Sequence, residues 1–152
     1  MTIGAGNDTD NHEADEFADA WEKFVLAIRR SQARGLQSPD DLTLAQYYLL
    51  QPLARAERAP LSRLAESAGI AAPTATRVID GLEKAGLVRR ERSVSDRRAV
   101  LISLTRTGRR RFERKHEQLA QRRRRLYDNL DPGERAQSGR LLRHLAELIG
   151  QL

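Results

Sequence analysis

The chain has 152 residues, of which 27 are Lys or Arg and 21 are Asp or Glu, so its formal net charge is +6. Six of the acids lie within the first 20 residues, which contain no Lys or Arg, so 15 of the 21 acids remain to balance all 27 basic side chains. Cysteine is absent, which excludes disulfides and thiolate metal sites. A body this basic favours an anionic partner, with nucleic acid ahead of a membrane surface.

The sequence contains no targeting or membrane-spanning pattern. Its first residues, MTIGAGNDTDNHEADE, lack the basic start and apolar core of a secretory signal. No apolar run approaches the roughly 20 residues that span a bilayer. We therefore expect a cytoplasmic protein that does not associate with a membrane.

The N-terminal third predicts a tail and two helices. Residues 1–11 are polar and are expected to form a disordered acidic tail. A helix is predicted from about residue 13 to residue 34, because Phe17, Trp21, Phe24 and Ile28 form one apolar stripe. A second helix begins near residue 43, and Pro52 should kink or shorten it.

Two short helices joined by a turn come next. The first carries its apolar residues on one face and ends at Gly69. The second begins at Pro73, which suits the first helical position, and Gly86 is placed to cap its end. Two short helices separated by a turn of three or four residues that contains Gly predict a helix-turn-helix.

A hairpin and two further helices complete the chain. Residues 99–104 alternate in hydrophobicity as a strand does, and residues 87–92 are expected to form its partner. The charged residues Asp96, Arg97 and Arg98 then lie at the tip or the return limb of the hairpin. A long basic helix follows over residues 105–129, and Asp131 with Glu134 predicts a capping box for a last, leucine-rich helix.

The outward face of the second short helix is a candidate DNA-contacting surface. Because its apolar residues point inward, its polar residues must point outward, beside an exposed Gly81: Thr74, Thr76, Arg77, Asp80 and Lys84. Arginine can contact guanine in the major groove, and threonine can contact phosphates or a thymine methyl group. The alternative is an ordinary solvated helix face.

The hairpin tip is the second candidate contact. Arg97 and Arg98 could reach the negative minor groove beside the helix, while Asp96 fixes the orientation of one guanidinium. The alternative is a surface ion pair that steadies a turn. A helix-turn-helix followed directly by such a hairpin favours the DNA-binding interpretation.

Several segments resemble the multiple-antibiotic-resistance regulator (MarR) family of winged-helix repressors. They are LTLAQYYLL at residues 42–50, PLSRLAESAGI at 60–70, PTATRVIDGLEKAGLVRR at 73–90 and SDRRAVLISLTRTG at 95–108. The order and length of the flanking helices are similar too. The chain departs from the family pattern in having Ala71 where a capping Ser is usual, and Pro52 within a usually regular helix.

The resemblance implies a mainly α fold with a small β-hairpin wing. A winged helix-turn-helix lobe would occupy residues 41–104, and a helical dimerisation region would comprise residues 12–40 and 105–152. A homodimer would then present two recognition helices and two wings to a palindromic operator in double-stranded DNA. Arg97 would enter the minor groove while Arg98 pairs with Asp96, or the two arginines would exchange these roles.

Family members also respond to small ligands, so the resemblance implies an aromatic or anionic effector. Trp21, Tyr47 and Tyr48 could line its pocket with Arg55 as the anion partner, although aromatic residues at helical spacing often serve only as core. His12, His116 and His144 are too dispersed to predict a metal site, and no cofactor is expected. The run of four arginines at residues 122–125 is expected on a solvated helix face, with phosphate or an acidic protein as alternative partners.

The function predicted from the sequence is a sequence-specific repressor of transcription that a small ligand releases from DNA. The rival hypothesis is a winged-helix module that binds nucleic acid with little sequence preference. An enzyme is not expected, because the sequence lacks a nucleophile elbow, a Walker-type phosphate loop and a zinc-protease motif.

Overall fold

The computed structural model describes residues 6–34, 41–92 and 100–151, and the chain divides into two compact units, residues 1–44 and 45–152. Most of the described part of the first unit is one helix, α1 (Gly6–Arg34). This helix begins seven residues before the predicted start at residue 13, so residues 6–11 are helical where a tail was expected. The apolar pattern could not reveal this extension, because residues 6–11 contain no large apolar residue.

The other elements follow in a regular order. They are α2 (Leu44–Leu50), β1 (Arg58–Pro60), α3 (Leu61–Ala68), α4 (Ala72–Lys84), β2 (Val88–Arg92), β3 (Val100–Leu104), α5 (Arg106–Asp128) and α6 (Pro132–Ile149). The predicted class, mainly α with a small β wing on a helix-turn-helix, is confirmed. Among the described residues, each helix is too short or too polar to cross a membrane.

Proline and glycine set the helix ends as predicted. Pro52 limits α2 to seven residues, after which the chain forms a single 3₁₀ turn over Gln51–Ala54. Gly69 ends α3 with φ of 63°, and Gly86 follows α4 with φ of 69°. These left-handed conformations are costly for residues that carry a Cβ atom, so glycine determines where both helices stop.

The sheet has three strands, one more than predicted. β3 lies in the centre and pairs antiparallel with β2, from Val88 opposite Leu104 to Arg92 opposite Val100. On its other side β3 pairs with β1, where Ala59 lies opposite Ile102. The strand β1 was missed because it has three residues and no alternation of its own. It anchors the hairpin to the segment that leads into α3.

The core of the second unit joins the helix-turn-helix, the sheet and the first half of α5. Its largest fully buried side chains come from α2 and the turn after it, the helix-turn-helix and the sheet: Tyr47, Leu49, Leu50, Leu53, Leu64, Ile79, Leu82, Val88 and Ile102. Phe112 of α5 stacks on Tyr47 with ring centroids 5.0 Å apart. The hydrophobic burial therefore holds α4 and the hairpin in one packed lobe.

Side-chain caps begin the last two helices, and the cap of α6 was predicted. Thr105 is the N-cap of α5 and Asp131 that of α6. The carboxylate of Asp131 accepts the backbone N–H of Glu134 at 2.9 Å, and Glu134 accepts the backbone N–H of Asp131 at 2.8 Å. This reciprocal pair is the capping box predicted from the sequence.

One backbone contact at the base of the hairpin demands a glycine. The N–H of Thr105 donates to the carbonyl oxygen of Leu87 at 3.0 Å, and the Thr105 hydroxyl donates to the carbonyl oxygen of Gly86 at 2.7 Å. One turn into α5, a Cβ atom added to Gly108 would lie 1.8 Å from the same Leu87 oxygen. Any larger residue at position 108 must therefore push α5 away from β2.

We expect Gly108→Ala to destabilise the protein by about 3 kcal/mol, because overpacking against backbone cannot be relieved by a rotamer change. The melting temperature should fall by roughly 10 °C in differential scanning calorimetry. The matched control is Gly81→Ala, whose added Cβ meets no atom within 4 Å and which should raise stability by up to about 1 kcal/mol. A Gly108→Ala variant as stable as the wild type would contradict the close contact.

Candidate nucleic-acid interface

The helices α3 and α4 form the predicted helix-turn-helix. The turn between them runs from Gly69 to Ala71. Leu64 of α3 and Ile79 and Leu82 of α4 are fully buried, so the two helices share one apolar contact. With its inner side fixed in this way, α4 turns a defined polar side outward.

The predicted contact residues lie on that outward side. Thr76, Arg77 and Lys84 are exposed, and Thr74 is half-buried. The Thr76 hydroxyl donates to the carbonyl oxygen of Ala72 at 2.9 Å, so it retains its lone pairs and its methyl group for a ligand. Among the ion pairs of the described residues, none engages Arg77 or Lys84. Both cations are therefore available to an anionic partner.

A charged cluster joins α4 to the hairpin, and sequence reasoning missed it. The Arg90 guanidinium of β2 donates through Nη2 to Asp80 Oδ1 at 2.5 Å, and its Nη1 lies 3.4 Å from Glu83 Oε2. In the sequence, Arg90 stands within a run of charged residues that gives no sign of its direction. The available signal was the spacing of Asp80 and Glu83, which puts two acids one turn apart on the same helix.

The predicted wing residues Asp96, Arg97 and Arg98 lie outside the described residues. The strands that lead to them are described as far as the pair Arg92 and Val100. Their roles at the minor groove therefore remain predictions from the sequence.

The start of α4 lacks a side-chain cap, as the departure from the family pattern suggested. Ala71 occupies the N-cap position with φ of −65° and ψ of 145°, and no side chain accepts a hydrogen bond from the first turn. Its backbone already has the extended conformation that a capping serine adopts. The unsatisfied N–H groups and the helix dipole leave a partial positive charge at this end of α4.

The helix α5 adds a second basic surface. The four arginines at residues 122–125 are exposed, as predicted for a solvated face. Asp128 hydrogen-bonds to Arg124 and raises the pKa of its guanidinium above the ordinary value, through the hydrogen bond first and the opposite charge second. The remaining arginines of the run attract anions over a longer range than a single contact would.

Of the residues proposed for an effector pocket, Tyr47 and Tyr48 lie together in the second unit. Tyr47 is buried, and its hydroxyl oxygen lies 2.8 Å from Nδ1 of His116, a hydrogen bond that links α2 to α5. Tyr48 packs edge-on against Tyr47, with the ring centroids 5.4 Å apart, and remains 43% exposed. Trp21 belongs to α1, where it packs beside Phe17. Tyr47 is therefore part of the core, the alternative that the sequence left open.

A cavity of about 690 Å³ opens between α3, α5 and the 3₁₀ turn that follows α2. Arg55, named in the sequence prediction, lines it together with Gln51, Pro52, Ala54, Ala56, Arg63, Ser67, Phe112 and His116. Two arginines, Phe112 and a histidine thus line the same cavity. Within the described residues, no three His, Asp or Glu side chains are grouped so that they could hold a metal ion.

Comparison with known sequences identifies relatives over most of the chain. The MarR family model matches residues 42–100, which contain α2 to α4 and β2 and end at the first residue of β3. The HTH-type transcriptional regulator YhbI of Bacillus subtilis is 34% identical over 129 residues, covering 83% of this chain and 79% of its own.

Solved structures with the same fold include proteins bound to DNA and regulated by a ligand. The transcriptional repressor CouR, bound to a 23-mer DNA duplex, is 31% identical with a TM-score of 0.64 and covers 79% of this chain and 89% of its own. BpsR of Bordetella bronchiseptica is a protein whose binding to DNA is regulated by 6-hydroxynicotinic acid. It is 27% identical to this chain, with a TM-score of 0.68. It covers 84% of this chain and 98% of its own.

The open N-cap of α4 generates a stability prediction. Ala71→Ser should stabilise the protein by about 1 kcal/mol, because a serine hydroxyl at this backbone geometry can accept an N–H of the first turn. Urea unfolding should show a higher midpoint with an unchanged slope. Ala72→Ser, one residue inside the helix, is the control and should bring no gain. Equal effects of the two substitutions would mean that the position is not a cap.

Proposed function

Because the chain belongs to the MarR family, we propose that it is a repressor that binds a palindromic operator as a homodimer and is released by a small ligand. At the coarser level the chain is a DNA-binding transcriptional regulator and not an enzyme. The observation that carries the proposal is the outward face of α4, which offers Arg77, Lys84 and two threonines beside a hairpin. These groups match the contacts that base edges and phosphates accept.

We assign the two kinds of contact to different elements. Arg77 lies in the middle of α4 and is the candidate for a guanine contact in the major groove, whereas Lys84 at its end suits a phosphate. Thr74 and Thr76 would flank this contact through hydroxyl and methyl groups. Arg97 or Arg98 of the wing would enter the neighbouring minor groove, where the potential is most negative, with Asp96 orienting the other arginine.

Exposed apolar residues support the homodimer. Phe17 and Phe24 of α1 are 58% and 52% exposed, and α6 has no buried residue although Leu141 and Leu142 are 56% and 60% exposed. Large apolar side chains rarely stay in water in such numbers, and a second copy would remove them from it. In a two-fold dimer the recognition helices would contact half-sites about 10 base pairs apart.

The rival function is charge-driven binding without sequence preference. The exposed arginines at residues 122–125 favour it, because they add positive charge that α4 does not need for base contacts. Selection from a random duplex pool, followed by titration of the enriched sequences at several salt concentrations, distinguishes the two. A palindrome supports the repressor, whereas an affinity set by salt alone supports the rival.

On the selected operator, Arg77→Ala should lower affinity by about 1–3 kcal/mol and relax the preference at one base position, because it removes a base contact. Lys84→Ala should weaken binding to all sequences alike and reduce the slope of log affinity against log salt by about one. Fluorescence anisotropy titrations measure both effects. The control is Arg140→Ala, an exposed arginine of α6 that should leave affinity unchanged. Loss of affinity without loss of preference in Arg77→Ala would argue against base recognition.

We further propose that the cavity beside α3 receives the effector. Arg55 and Arg63 would bind a carboxylate, and Phe112 would contact an aromatic ring. Because α3 is the first helix of the helix-turn-helix, a ligand that displaces it would also displace α4. The regulation of BpsR by an aromatic acid supports a ligand of this class. The contributions of Trp21, Tyr47 and Tyr48 to ligand binding stay predictions from the sequence.

A panel of small aromatic carboxylates, 6-hydroxynicotinic acid included, should contain at least one compound that releases the operator. The concentration that it requires should rise about tenfold or more in Arg55→Gln, because a charge-assisted hydrogen bond is lost. Arg140→Gln is the matched control and should respond like the wild type. An unchanged response of Arg55→Gln would place the effector elsewhere.

A further inference from the structure

The ion pairs of Arg90 connect the two elements that the proposed function assigns to different grooves. Arg90 is the central residue of β2 and lies opposite Ile102 of β3. Its side chain leaves the sheet towards α4, where it contacts Asp80 and Glu83. Among the described residues, Arg90 makes every ion pair between α4 and the hairpin. We call Asp80, Glu83 and Arg90 the bracket.

The bracket is built to fix an angle. Two different nitrogens of one planar guanidinium engage two carboxylates that are one helical turn apart, so both the position and the orientation of the group are determined. The Arg90 side chain is 30% exposed, less than either carboxylate partner. A contact of this kind adds a directional restraint on the hairpin to the hydrophobic packing of the lobe.

We propose that Asp80 and Arg90 are positioning residues for DNA recognition: the bracket holds the wing at the angle at which α4 and the wing reach adjacent grooves together. The inference rests on the proposed function, because it concerns how the same DNA-contacting surface is organised. Its distinctive consequence is that Asp80, an acid on the recognition helix, increases the affinity for DNA.

Other roles for these residues predict that removal of Asp80 changes the affinity for DNA in the opposite direction. An acid that merely lies near DNA repels phosphates, so its removal should strengthen binding. If Arg90 instead contacted a phosphate directly, Asp80 would compete for its guanidinium, and removal of Asp80 would again strengthen binding. If the bracket positions the wing, removal of Asp80 should instead weaken binding, because it frees Arg90 and the hairpin that carries it. The sign of the change in Asp80→Asn therefore separates the explanations.

The test uses the full chain and the operator obtained by selection. We expect Asp80→Asn and Arg90→Gln each to weaken binding by about tenfold, the size of coupling usual for residues in one charged network. The double variant should bind no more weakly than Arg90→Gln alone, because both changes break the same contact. Glu66→Gln removes an exposed acid of α3 outside the bracket and should leave affinity equal or slightly higher.

A footprint distinguishes a displaced wing from general damage to the fold. In hydroxyl-radical footprinting, both bracket variants should lose protection at the minor-groove flanks and keep it at the central major-groove contact, with melting temperatures close to that of the wild type. Uniform loss of protection, additive losses of affinity, or an Asp80→Asn variant that binds as tightly as the wild type or more tightly would overturn the bracket. A wild type that selects no sequence would instead contradict the proposed function itself.

Discussion

The contact between Leu87, Thr105 and Gly108 is the constraint on which the DNA-binding lobe depends. The end of α4, the start of β2, the end of β3 and the start of α5 all meet there. Two hydrogen bonds from Thr105 and the missing Cβ of Gly108 bring α5 directly against the backbone of the hairpin. Because backbone atoms cannot change rotamer to relieve a misfit, the hairpin and α5 cannot shift independently at this point.

This junction and the bracket restrain the hairpin from two sides. The junction fixes the base of the hairpin to α5, and Arg90 fixes its middle to the recognition helix. A protein that contacts two adjacent DNA grooves gains affinity from such restraint. The entropy cost of orienting its wing is then met during folding and not during binding. Under the proposed regulation, a ligand would have to displace α3 or α5 with the lobe as a body, and both helices line the cavity proposed for the effector.

Local chemistry explains why so much of the fold was predictable. Gly69, Gly86 and Asp131 act within four or five residues of themselves, so their roles follow from the sequence. The missed features are contacts between distant segments. The strand β1 exists because β3 pairs with it, and the hydrogen bond of Tyr47 joins residues 69 positions apart. In both cases, the sequence around one partner contains no local pattern that identifies the other.

The same distinction applies to the candidate site. The outward direction of Arg77 and Lys84 follows from the apolar period of α4, and the structure agrees because Ile79 and Leu82 are buried. The partners of Arg90 did not follow, because a strand residue can point to either face of its sheet and a one-residue difference in register reverses the choice. The ion pairs with Asp80 and Glu83 show that Arg90 faces α4.

The distribution of charge bears on the choice between a sequence reader and a charge-driven binder. The recognition helix α4 carries two cations and two acids, and is therefore neutral, whereas the run at residues 122–125 is purely cationic. A surface that bound DNA through charge alone would have a higher affinity without carboxylates beside the DNA-contacting residues. The presence of Asp80 and Glu83 is explained if they hold Arg90 and the wing in place. The orientation of the wing matters for base recognition and little for attraction to phosphates. The acids on α4 thus favour a protein that recognises a specific DNA sequence.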